Sequence, residues 1–249
     1  MSTNLVFLTP PVNEFEEAYL AVRKKEGRLY DDALVKELPY LPSSHPQAKE
    51  WSLRQENVAE LIAYLRRVGG QEILDLGCGN GWLTQRIAAQ VPAQQVLGMD
   101  INQTELEQAH KLFQSSTCRF AYGDIFAENL QVGPFDAIIL ASCAQYFPDL
   151  PSLLNRLLSF LKPDGEIHLI DSPIYSSSEI DAARQRTDSY YQEQKVVAMQ
   201  QHYHHHSWED LREFNYELKY QPTSLSNRLR RKLGSAVSPF PWLIIRHAS

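Results

Sequence analysis

Short apolar runs alternate along this chain with stretches whose apolar residues return every three or four positions. The runs at residues 73–76, 95–100, 119–125, 135–141 and 167–171 have strand length, and the one at 135–141 has a continuous apolar centre, as a strand buried on both faces does. Helical spacing begins near Trp82, Gln103 and Leu150. Thr104-Glu-Leu-Glu107 puts acidic residues into a first turn, and Pro148-Asp-Leu-Pro151 marks the last start. Strand and helix in alternation predict an α/β fold with a mostly parallel sheet, helices on both faces and right-handed crossovers.

The flanks follow other rhythms. Residues 1–70 read as an N-terminal helical extension. Residues 13–23 have helical spacing, a Pro-containing loop crosses 38–42, and from 47 to 68 Trp51, Val58, Leu61, Ile62 and Leu65 fall largely on one face before a Gly69-Gly70 stop. After a core at 71–171, residues 172–208 read as an insertion. A Ser176-Ser-Ser-Glu179 helix start there opens a polar, Tyr- and Gln-rich segment too long for an ordinary connection. Residues 209–249 return to the sheet, with strands at 215–220 and 241–246. Between them Leu225, Leu229 and Leu233 recur every four residues and predict an amphipathic helix with Arg228, Arg230, Arg231 and Lys232 on its outer face. All 249 residues are expected in one domain.

Chemistry concentrates in Asp75-Leu-Gly-Cys-Gly-Asn-Gly81, a Gly-rich turn from strand to helix. Glycines at 77, 79 and 81 let the backbone turn sharply and bring bare amides against a ligand, and the following helix offers unpaired N–H groups at its start. Taken alone, such a turn suits many nucleotides. The second strand then ends in Asp100, at about 20 residues' distance, the interval at which a carboxylate meets ribose hydroxyls.

The ordered series Asp75-Leu-Gly-Cys-Gly-Asn-Gly81, Met99-Asp100, Gly123-Asp124-Ile125, Phe135-Asp-Ala-Ile-Ile139 and Leu161-Lys-Pro-Asp-Gly165 resembles the class I S-adenosylmethionine (SAM)-dependent methyltransferases over roughly residues 71 to 171. The resemblance implies a Rossmann-like, mostly parallel seven-stranded sheet with an antiparallel end, SAM as cofactor, and a lid between the fifth and sixth strands, here 172–208, over the acceptor. It implies that Asp75 helps hold the methionine end, and that Gly77, Cys78, Gly79, Asn80 and Gly81 form the cofactor loop. Asp100 would accept from both ribose hydroxyls with Ile101 against the adenine, Asp124 and Ile125 would meet the adenine edge and face, and Ala141 and Ser142 would border the cofactor. Arg54 is read two ways: as a bidentate partner of the cofactor carboxylate, or as a surface arginine on an amphipathic helix.

Composition narrows the partners. The chain is 43% hydrophobic and 22% charged, which fits a folded globular protein, and its net charge of −6 argues against a polyanionic substrate such as nucleic acid. The basic helix keeps RNA or protein methylation open as an alternative, beside a solvated helix face. Cys78, Cys118 and Cys143 show no Cys-x-x-Cys spacing, so neither a disulfide framework nor a thiolate zinc site is expected and a cytoplasmic home is. The N-terminus lacks a basic leader with a sustained apolar core, and no run approaches the roughly 20 apolar residues of a membrane span.

Catalytic groups are harder to read, because a sulfonium methyl is already activated and the protein mainly aligns it and excludes water. Four histidines in His202-Tyr-His-His-His206 suggest a polar lid surface or one pocket base, with His204 as the candidate and His202 and His206 able to share a helix face. No carboxylate or cysteine partners these histidines at metal-ligand spacing, and the acidic set of the metal-dependent catechol O-methyltransferases is missing, Asp171 alone being insufficient, so the resemblance implies metal-independent transfer. Ala141-Ser-Cys-Ala144 lacks the Pro-Pro-aromatic motif of amino-methylating enzymes, and Cys143 reads as a buried small residue. Tyr146 reads equally as an acceptor-pocket wall or a core aromatic. The expectation is transfer to a small-molecule acceptor, with a non-catalytic SAM-binding subunit as the remaining alternative.

Overall fold

A computed structural model describes residues 5–11, 14–225, 227, 229, 233 and 237–248. The basic positions 228 and 230–232 of the expected C-terminal helix lie outside the described residues. Among those described, ten strands and seven α-helices follow in chain order.

The N-terminal part supplies β1 (Val6–Phe7), α1 (Glu14–Lys25), α2 (Asp32–Glu37) and α3 (Ala48–Val68). Helix α3 stops where Gly69 takes a left-handed conformation, φ 80°, and its N–H donates to Leu65 O, the glycine stop anticipated at this position. The alternating core follows: β2 (Glu72–Leu76), α4 (Trp82–Gln90), β3 (Gln95–Asp100), α5 (Gln103–Phe113), β4 (Cys118–Tyr122), β5 (Phe135–Ala141), α6 (Leu150–Leu158) and β6 (Leu161–Ile170). Asn102 caps α5 by accepting from Glu105 N–H, and Asp149 caps α6 by accepting from Ser152 N–H. Strands β7 (Ile174–Tyr175) and β8 (His206–Ser207) pair in parallel, so the segment between them, which contains α7 (Ile180–Glu193) and a short 3-10 helix at Val197–His202, is tied down at both ends. The chain closes with β9 (Asn215–Tyr220) and β10 (Trp242–Arg246).

The main sheet runs β1-β4-β3-β2-β5-β6-β10-β9, parallel except where β10 lies antiparallel to both β6 and β9. This is the Rossmann-like sheet the resemblance implies, with an eighth strand added. The addition is β1, whose Val6 and Phe7 pair with Ala121 and Tyr122, and two residues are too few for a sequence pattern to signal. Strand β6 also begins earlier than its apolar run. Leu161 pairs with Phe135, and a register shift absorbs Lys162-Pro-Asp-Gly165 before Glu166 meets Ala137.

Successive side chains point to opposite faces. Ile73, Ala137 and Ile139 pack under Leu61 and Leu65 of α3 and Ile87 of α4, while Leu74, Ile138 and Leu140 pack under Leu153, Leu154 and Leu157 of α6. Helices therefore cover both faces. The strand order reverses about β2, between β3 on one side and β5 on the other, which opens a crevice beyond the carboxyl ends of these strands.

Candidate active site

Two cavities open at that crevice. The smaller, about 240 Å³, is lined by Asp100, Ile101, Asp124 and Ile125. The larger, about 930 Å³, is bounded by the Gly-rich loop, by α1 and α3, and by the inserted segment through Thr187, Tyr190, Tyr191 and Tyr203. Tyr19, Gly77, Ser142 and Tyr146 line both, so the cavities meet there.

The loop is shaped by its glycines. Gly77, Gly79 and Gly81 have φ of 73°, 52° and 75°, the left-handed region costly for any side chain. A Cβ at Gly77 would lie 2.7 Å from Cys143 Cβ, and one at Gly81 would lie 2.5 Å from the Phe120 ring. The turn is anchored from below, where Gly77 N–H donates to Met99 O at 2.8 Å.

Asp100 stands where the sequence pattern put it, with much of its capacity already committed. Oδ2 accepts from Gly79 N–H at 2.7 Å, and Oδ1 accepts from Ile101 N–H at 2.7 Å and Asn102 N–H at 2.9 Å. A carboxylate offers about four lone-pair sites, so one remains, against the two ribose hydroxyls expected of it. Burial pushes its pKa up, against the pull of these three donors. Asp124 accepts from Phe126 N–H through Oδ1 at 2.9 Å, and its own N–H is held by Thr9 Oγ1 at 3.0 Å.

Asp75 lines neither cavity. It is 1% exposed, accepts from Thr84 Oγ1 at 2.6 Å, and burial pushes its pKa up to about 7. Its side chain is buried against Thr84 of α4. Arg54 does line the larger cavity, with Nη2 2.9 Å from Glu50 Oε1 and its guanidinium 4.8 Å from the Trp51 ring centre.

Sequence reasoning missed several groups on these walls. Arg23, on α1, has Nη2 3.9 Å from Glu105 Oε1, and its Nε is buried without a hydrogen-bond partner. Burial opposes the Arg23 charge, yet Tyr19, Glu105 and Tyr146 together raise its pKa. Glu105 sits beside Gly79, and burial pushes its pKa up to about 7 despite Arg23. At the floor, β5 and β6 both leave the sheet through non-glycine residues at positive φ, Ser142 at 57° and Asp171 at 52°, and Asp171 accepts from Asn57 Nδ2. Such strain gathers at functional sites. An apolar-spacing scan passes over Arg23 and Glu105 because each is a polar residue inside a helix; only their burial marks them.

The histidines are distributed otherwise than expected. Residues 203–205 belong to no helix and Tyr203 is extended, so His202 and His206 share no helix face. Tyr203 and His205 face one way, with rings 5.3 Å apart, while His204 turns aside and lines neither cavity. Its N–H donates to Gln145 O at 2.7 Å, so its position braces the backbone beside Tyr146. His202 reaches the smaller cavity against Phe15. Cys143 is buried and donates through Sγ to Leu76 O at 3.1 Å. Among the described residues no cluster of His, Cys, Asp and Glu could hold a metal ion.

The site fits SAM on these grounds. A loop of bare amides borders the larger cavity and meets the smaller one at Gly77, two carboxylates and two isoleucines line the smaller one, and three buried polar atoms on the larger one, Asn80 Oδ1, Gln145 Oε1 and Arg23 Nε, have no partner of their own.

Comparison with known proteins agrees with this geometry. A family described as a methyltransferase domain matches residues 68–220. Trans-aconitate 2-methyltransferase of Deinococcus radiodurans is 34% identical over 124 residues, 50% of this chain and 46% of that protein. Malonyl-[acyl-carrier protein] O-methyltransferase of Acetivibrio thermocellus is 30% identical over 126 residues, 48% of this chain and 44% of the other. The matched stretch is thus about half the length of these relatives. Among solved structures, magnesium protoporphyrin IX methyltransferase from Synechocystis PCC 6803, with bound SAH (S-adenosylhomocysteine), shares the fold at a TM-score of 0.55 and 15% identity, covering 94% of this chain and 96% of that one. A plantazolicin methyltransferase in complex with SAH and a desmethylPZN analog aligns at 0.54 and 17% identity, with the same coverage. The motif series, the sheet order and the family match agree: the chain belongs to the methyltransferase-domain family, the class I SAM-dependent enzymes that its sequence resembles.

Proposed function

We propose that this protein transfers a methyl group from SAM to a small-molecule acceptor without a metal, the smaller cavity taking the adenosine and the larger one the methionine end and the acceptor. The junction of the two cavities at Tyr19, Gly77, Ser142 and Tyr146 carries the reading, because a cofactor laid across it would present its central sulfonium to the larger chamber. When bound, SAM supplies an activated methyl for direct displacement by an acceptor atom.

The chain's own residues would bind, orient and exclude water. Gly77 to Gly81 let backbone amides approach, Asp100 gives its free lone pair to a ribose hydroxyl, and Asp124 meets the adenine edge between Ile101 and Ile125. Cys78, Asn80 and Ala141 border the methionine end in this reading. Arg23 joins Arg54 as a partner for the cofactor carboxylate, and it is favoured over Arg54 because its Nε is unengaged while Arg54 is held by Glu50 and Trp51. The rings of Phe15, Tyr19, Tyr146 and Tyr203 pack within 5.4 to 6.1 Å of one another and roof the junction against water. Trans-aconitate and malonyl-[acyl-carrier protein], named for the two relatives, support an acceptor other than nucleic acid. The three cysteines are free and buried, which supports a reducing compartment such as the cytoplasm as the place of work.

The test is calorimetric titration with SAM and SAH, using NAD as control, followed by incubation with methyl-labelled SAM and a metabolite extract. Micromolar SAH binding with label entering low-molecular-weight products is the expected outcome. Label passing to RNA or protein instead, or binding without transfer to any pool, would reject the small-molecule reading.

A further inference from the structure

The transferase reading leaves the acceptor's chemistry open, and the charges around the larger cavity narrow it. Most of them cancel. Arg28 Nε lies 3.1 Å from Glu26 Oε2, its Nη1 donates to Glu50 Oε1 at 2.8 Å, and Arg54 reaches the same oxygen at 2.9 Å. Arg23 faces Glu105 at 3.9 Å and is assigned above to the cofactor carboxylate. The charged lining residues left over are Lys49 in the first turn of α3, Arg186 on α7, and Asp171 on the floor.

Lys49 and Arg186 are exposed, and among the described residues neither forms an ion pair. The charge of Arg186 acts on Tyr175 and on Glu179, pulling the pKa of each downward. Burial favours the neutral form of Asp171, against Arg54 and the Asn57 bond. Two cations against the one carboxylate of Asp171 leave the remaining charge of the lining positive, in a chain whose net charge is −6. The same cavity has an aromatic lining, with Trp51, Tyr191, Tyr203 and Phe240 and the more exposed Tyr190.

Resting on the transferase reading, we propose that the acceptor is an organic acid with a flat or aromatic body, whose carboxylate is held at the rim by Lys49 and Arg186 while the body lies on the aromatic walls and the reacting end points to Ser142 and Tyr146. Two cations reaching the mouth from different elements, α3 and the inserted α7, select a group that both can share. A guanidinium matches a carboxylate bidentately, and the ammonium adds a point charge. Aromatic faces suit a flat body and leave few polar groups to satisfy.

The probe pair is 3-phenylpropionate and its amide, 3-phenylpropionamide, titrated against the protein without SAM and read by tryptophan fluorescence, since Trp51 and Trp82 line the cavity. The acid should bind at least fivefold more tightly than the amide at low salt, and the paired change Lys49→Gln with Arg186→Gln should abolish that preference while SAH affinity stays within twofold. Arg186→Lys in the Lys49 background should retain part of it. Equal binding of acid and amide, or a preference that survives the paired change, overturns the proposal. In the extract assay, labelled product retained on an anion exchanger at neutral pH supports it and product in the flow-through overturns it. Failure to transfer label despite SAH binding would instead count against the transferase reading.

Discussion

The two halves of the site are built from different materials. Around the smaller cavity the determinants are backbone: the left-handed Gly77, a carboxylate held by three amides, and strand ends fixed by a parallel ladder. Around the larger cavity they are side chains from α1, α3, α7 and the Ser238–Phe240 approach to β10. Backbone geometry leaves few residue choices at few positions, so the first half is rigid and specific to one cofactor. A wall of arginines and tyrosines on separate helices can be rearranged by substitution, so the second half is where a family changes its acceptor.

Substitutions ranked by their expected effect on SAH affinity sharpen this contrast. Gly77→Ala should be the most damaging. A left-handed alanine costs about 1–2 kcal/mol, and forcing its Cβ against Cys143 adds about 1–3 kcal/mol by displacing packed atoms. SAH binding should fall below detection, and the urea midpoint should drop as well. A variant with wild-type affinity would show that the loop is plastic.

Asp100→Asn comes next. One charge-assisted hydrogen bond is worth roughly 1.5–3 kcal/mol, so the dissociation constant for SAH should rise about tenfold to a hundredfold by calorimetry. Arg23→Gln should weaken SAH by roughly tenfold, and Arg54→Gln by less, because Arg54 is already held by Glu50 and Trp51. The reverse order would return the carboxylate to Arg54.

The same contrast explains what the sequence made legible. That Gly77, Gly79, Asp100 and Asp124 gather at one crevice could be read because they sit at fixed intervals on consecutive strands and turns, where spacing along the chain is spacing in the fold. Arg23, Glu105, Tyr191 and Arg186 could not. Each lies on an otherwise ordinary helix, and what brings them to one cavity is packing between segments some 80 to 160 residues apart. His204 fails for a related reason. A run of four histidines within five residues names a cluster, but only the path of the backbone decides which of them faces the site.

Asp75→Asn is expected to change SAH affinity least, by under threefold, because the side chain is buried and lines neither cavity. Its signature should instead be in stability against pH. Burial raises the folded-state pKa to about 7, above the roughly 3.9 of an unfolded aspartate, so between about pH 4 and 7 the native state holds a proton that the unfolded chain has released. Stability from this group therefore falls as pH rises through that window. Near pH 4, before the unfolded aspartate has fully ionised, the wild-type native carboxyl is protonated and Asn is its near isostere, so the two proteins should have similar urea midpoints there. By pH 8 the wild type carries a buried carboxylate held only by Thr84, and the variant should be the more stable of the two. Midpoint differences that stay constant from pH 4 to 8 would mean that Asp75 is ionised throughout. A loss of SAH affinity beyond tenfold would mean that the carboxylate reaches the cofactor after all.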